Sequence, residues 1–98
     1  MMATLHVISS SPYADSRLNS CLRLLGPDDG LLLCGEAVQA LRPGSAVQQR
    51  LLQLPSAQLY ALSDDCQARG LANTPVKQID YPGFVALSLA YHRVNTWL

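Results

Sequence analysis

Four short apolar runs, separated by segments of helical character, constrain this chain more than any other feature. They are "ATLHVI" (3–8), "LLLC" (31–34), "QLYALS" (58–63) and "VKQI" (76–79). Runs this short and this continuously apolar read as strands buried on both faces. Between the first two, Leu18, Cys21, Leu22 and Leu25 recur at helical spacing and form one apolar stripe. Asp15 or Ser16 can cap that helix by accepting from its free amides. "GPDDG" (26–30) is a strong breaker.

A helical stretch follows near 36–41, then "RPGS" (42–45) interrupts it. Residues 46–54 suit either a second helical piece or a packed loop. Ser63 can cap a short helix at 64–70. Asp80 and Pro82 begin a last helix over 81–94, since proline suits a first helical turn. "NTWL" is left as a tail. Strands alternating with helices predict an α/β fold: one small domain over 1–98, with a mostly parallel sheet of four or five strands flanked by helices.

Charge narrows the partners. The formal net charge is zero, so the basic excess typical of nucleic-acid binders is absent. Charged residues make up 14% and apolar residues 49%, and a small domain cannot bury that much apolar surface. Exposed apolar patches mark partner surfaces, so the composition reads as that of a subunit. The N-terminus has no basic region before its short apolar run, which argues against a signal peptide, and no stretch approaches a membrane span. Three cysteines without a secretory signal point to free thiols in a cytoplasmic setting.

Local motifs carry little chemistry. The loop "SSSPYAD" (9–15) lacks a glycine-rich phosphate cradle, and turn-and-cap chemistry accounts for it. His6, His92 and the cysteines form no metal-ligand spacing, so neither metal nor cofactor is expected. Cys34 closes a leucine run and reads as core. Cys66 lies in the first turn of a helix, where the dipole favours a thiolate, but Asp64 and Asp65 oppose it and Arg69 only partly compensates. Cys21 sits on the apolar stripe, and by spacing alone it is a small core residue.

The order of segments resembles the TusB/DsrH family. "TLHVISSSPY" is similar to its amino-terminal signature through Leu5, His6, Ser11, Pro12 and Tyr13. "LLLCGEAVQAL" resembles its second strand and small apolar helix. "LYALSDDCQARGL" is similar to its third strand, acidic pair and following segment, through Tyr60, Leu62, Asp64, Asp65, Ala68, Arg69 and Gly70. "IDYPGFVAL" and Trp97 match its last helix start and carboxyl-terminal tryptophan.

The resemblance implies a small α/β subunit of a cytoplasmic sulfur-relay assembly, built with TusC/DsrF-type and TusD/DsrE-type partners. Such an assembly passes persulfide sulfur through a carrier protein toward 2-thiolation of tRNA wobble uridine. The subunit's role there is accessory rather than catalytic by itself, without direct contact to nucleic acid. The alternative it implies is a DsrH-type subunit for sulfur oxidation. In such members a cysteine stands at the position of Cys21 in a setting that "SCLR" reproduces, making Cys21 a candidate persulfide carrier, with Arg17 one turn earlier able to stabilise a thiolate if that face is open. Trp97 is then either an interface anchor or part of a tail folded onto its own core.

Overall fold

The computed structural model describes residues 3–13, 16–54, 58–71, 73–74 and 76–97. Its strands are β1 (Thr4–Ile8), β2 (Gly30–Leu33), β3 (Leu59–Leu62), β4 (Lys77–Ile79) and β5 (Arg93–Trp97), all parallel in the order β4-β3-β2-β1-β5. The helices are α1 (Arg17–Leu24), α2 (Ala46–Leu52), α3 (Ser63–Ala68) and α4 (Tyr81–Ala90), with a 3₁₀ segment at Gly35–Leu41. This is the α/β domain with a flanked parallel sheet that the sequence predicts.

Strand order decides which face each helix covers. From β1 through β4 the chain steps one strand at a time in one direction. Right-handed crossovers therefore put α1, the 3₁₀ segment, α2 and α3 on one face. The step from β4 back to β5 runs the other way and sends α4 alone across the opposite face. Side chains agree. Ile8, Leu31, Leu33, Leu59 and Ala61 pack with Leu18, Cys21, Val38, Leu51 and Cys66 in the larger core. Leu5, Val7 and Leu32 point the other way, where Phe84, Leu87 and Tyr91 of the α4 segment meet them.

The two faces are unequally sealed. Leu5, Ile8, Leu31, Leu32 and Leu33 are fully buried, each contributing about 1.5–3 kcal/mol of transfer free energy. In α4, by contrast, no residue is buried, although the helix carries no charged side chain. Tyr81 (54% exposed), Val85 (57%) and Leu89 (80%) recur every four residues and form an outward apolar stripe.

Several local readings need correction. The last helix ends at Ala90 rather than reaching residue 94, and Arg93–Trp97 forms the fifth strand rather than a tail. His92 and Arg93 both donate backbone N–H groups to the Ala3 carbonyl, which turns the chain alongside β1. Ser63 does not cap α3: it lies inside the helix, with Leu62 in the cap position and no side-chain cap bond. Ser16 occupies the α1 cap position without a side-chain cap bond, and Asp15 lies outside the described residues. The stretch 36–41 is 3₁₀ rather than α, and of 46–54 the first seven residues form α2, capped by Ser45, whose hydroxyl accepts from Gln48 N–H at 3.0 Å. Asp80 caps α4 as expected, accepting from Gly83 N–H at 2.8 Å.

Candidate functional site

The three thiols occupy three different environments. Cys21 is completely buried under α1, and burial pushes its thiol up to about 12, with the Asp29 charge adding to the effect. Arg17, the cation expected to favour a thiolate there, lies on the exposed side of the same helix. Cys66 is also fully buried; burial and then Asp65 raise its thiol, outweighing Arg69. Cys34 is half-buried just beyond β2, and its Sγ donates to the Ile8 carbonyl at 3.6 Å. Burial and the Asp65 carboxylate raise it too. A nucleophilic thiolate needs electropositive, accessible surroundings. In this conformation each of the three thiols is held protonated.

The carboxyl ends of β2 and β3, where open α/β sheets commonly bind ligands, are braced by charge. Gly35 takes a left-handed φ of 53°, and its N–H donates to Asp65 Oδ2 at 2.8 Å. Arg69 reaches from behind α3 to Glu36 at 2.7 Å and to Asp65 at 3.8 Å. Asp65 and Arg69 of the "SDDCQARG" segment thus join the β2 and β3 loops. Among the described residues, no group of three His, Cys, Asp or Glu side chains is placed to hold a metal ion.

At the opposite side of β1 lies a polar relay that spans the chain. Asp29 accepts the Thr4 N–H and the Gly26 N–H, each at 2.9 Å. Its Oδ2 lies 3.4 Å from His6 Nε2, and Trp97 Nε1 donates to His6 Nδ1 at 3.1 Å. His6 is buried, and its ring lies 6.1 Å from the indole, centroid to centroid. Trp97 therefore packs on its own core beside Ile8, its register partner in β1. Sequence reading singled out His6 and Trp97 but missed Asp29, which it treated only as part of a turn. The available signal was an aspartate three residues after Gly26, a spacing suited to closing a turn with its side chain.

A protein-family model described as DsrH like protein matches residues 10–94. The chain belongs to the DsrH family. Curated relatives agree with that membership over nearly their whole length. A protein named Protein TusB from Enterobacter sp. (strain 638) is 34% identical over 96 residues, covering 95% of this chain and 99% of the relative. The Protein TusB of Pectobacterium parmentieri is 35% identical and that of Serratia proteamaculans 38%, each with the same coverage. These relatives align with the chain over nearly their whole length.

Proposed function

We propose that the chain is a subunit of a sulfur-relay assembly that passes persulfide sulfur toward 2-thiolation of tRNA wobble uridine. Its role there is to shape and hold the assembly rather than to carry sulfur. The partners are TusC/DsrF-type and TusD/DsrE-type subunits, the sulfur leaves through a carrier protein, and the setting is cytoplasmic. Among the described residues no helix is long and apolar enough to cross a membrane.

The observation that carries this reading is α4. An uncharged helix that buries none of its residues has an apolar outer face to cover, and a partner subunit is the natural cover. The protonated state of all three thiols supports the accessory role. A second reading, sulfur oxidation with Cys21 as persulfide carrier, is favoured by the cysteine on α1. It requires α1 to lift from the sheet, because Cys21 is fully covered.

Intact mass of each subunit in the co-purified assembly, after exposure to a persulfide donor, tests both. An unmodified chain beside a persulfidated partner is the expected result. One added sulfur on this chain, lost in Cys21→Ser, would replace the accessory reading with the carrier reading.

A further inference from the structure

The Asp29–His6–Trp97 relay is not needed for the proposed function, yet it brings Trp97 onto the buried ring of His6, 91 positions earlier in the chain. Its hydrogen bonds prescribe the ring's state. Indole Nε1 is donor only, so His6 Nδ1 must be the bare acceptor. The proton then sits on Nε2, facing Asp29 at 3.4 Å, a distance at the loose end of the hydrogen-bond range. The ring is thus a neutral Nε2–H tautomer, well matched to Trp97 and under-used by Asp29.

We propose that His6 is a proton-operated latch on the last strand. A proton taken from solvent at Nδ1 sets two donors, the imidazolium N–H and the indole N–H, against each other and removes the Trp97 hydrogen bond. The same proton turns the loose Asp29 contact into a charge-assisted pair, whose natural length is about 2.7–2.9 Å, so the ring moves toward Asp29. Asp29 is already fixed by the Thr4 and Gly26 amides and offers a stationary anchor.

What the latch holds is β5. Arg93, Val94, Asn95 and Thr96 are exposed, and Trp97 is the one side chain of this edge strand that packs into the core. Releasing the indole removes the side chain that anchors the end of β5 to the core. Around the ring, α1 contributes the Cys21 thiol within range of the Asp29 charge, and the approach to β2 contributes Asp29 itself. The neighbours in register are Leu31 and Asn95, neither of which titrates. Opening therefore follows one proton on one ring, and the latch is closed at the higher pH.

The chain has a single tryptophan, so its indole reports the latch without labelling. On acidification from about pH 8 to about pH 5, indole emission of the full chain should shift to the red in a one-proton step. Protection of the indole N–H, measured against its intrinsic exchange rate at each pH, should fall roughly fivefold, the factor a neutral hydrogen bond is worth, while far-ultraviolet circular dichroism stays constant. In His6→Asn, which keeps an acceptor near the Nδ1 position but cannot take up the proton, the step should vanish although His92 remains. Nitrogen chemical shifts of the wild-type His6 ring near neutral pH give an independent check that needs no variant. An Nδ1–H tautomer, an indole equally protected at both pH values, a step that persists in His6→Asn, or loss of secondary structure along with the shift would each overturn the proposal.

Discussion

The Tyr91 hydroxyl lies over the bare Cα of Gly30, so closely that a Cβ there would collide with the phenol ring. Gly30 opens β2 on the face that α4 covers alone, and this contact brings the end of the α4 segment down onto the sheet. Burial, together with the charge and hydrogen bond of the neighbouring Tyr60, raises the Tyr91 hydroxyl, so it stays protonated as a hydrogen-bonding group.

Gly30→Ala should therefore destabilise the chain by about 1–3 kcal/mol through overpacking. The same substitution at Gly44, where nothing lies near the new Cβ, meets only the strain of its left-handed φ of 82°. Urea denaturation of the Gly30→Ala variant checks this, and an unchanged midpoint would contradict the Tyr91 contact.

Asp29 should give the fold an acid-sensitive component. Burial alone would raise its carboxyl, but hydrogen bonds from Thr4 and Gly26 amides and from His6, with the His6 charge, outweigh it and hold the carboxyl below its ordinary value. A carboxyl lowered in the folded state adds stability that is complete above the unfolded value near about pH 4. That stability is lost as the pH falls through the lower folded value. Asp29→Asn should cost about 1–3 kcal/mol near neutrality and flatten the decline on acidification. Unfolding free energies between about pH 6 and pH 3 would expose an equal decline in both proteins if Asp29 were not responsible.

The outer face of α4 should separate assembly from stability. Val85→Asp and Leu89→Lys alter side chains that are mostly in water, so the isolated chain should change by no more than about 0.5 kcal/mol. Co-purification with the proposed TusC- and TusD-type partners should nevertheless fall sharply. Retained assembly in the double variant would remove α4 as the docking face.

Thiol labelling of the native chain should proceed in a fixed order. Half-buried Cys34 reacts first, while Cys21 and Cys66 wait for unfolding. Mapping the labelled cysteine by mass spectrometry in increasing denaturant decides this. Native labelling of Cys21 at the Cys34 rate would mean that α1 opens freely. Cys21→Ser, which puts a hydroxyl into that apolar site, should cost about 1–3 kcal/mol.

Much of the architecture was legible because buried parallel strands have to be apolar along their whole length. The runs at 3–8, 31–34 and 58–63 announce themselves for that reason, whereas "VKQI" (76–79) has a polar middle and forms the partly exposed edge strand β4; Asp80 with Pro82 announces the start of α4. The Cys21 stripe likewise reads correctly as the buried side of α1. The fifth strand was hidden because "RVNTW" is an exposed edge with one apolar flank, and the preceding "SLAYH" continues a helical pattern without interruption. Only pairing with β1, begun at the Ala3 carbonyl, makes it a strand.

The sequence by itself determined the fold class, the Asp80 cap of α4 and the family, since these depend on composition, local spacing and the order of segments. Tertiary structure alone decided the rest. It put four helical segments on one face and α4 alone on the other, because crossover handedness acts on strand order, which no local window contains. It closed Cys21 under α1 and set Asp65 between Gly35 and Arg69. It also joined Asp29, His6 and Trp97 through one imidazole, whose two nitrogens face residues that are far apart in the chain.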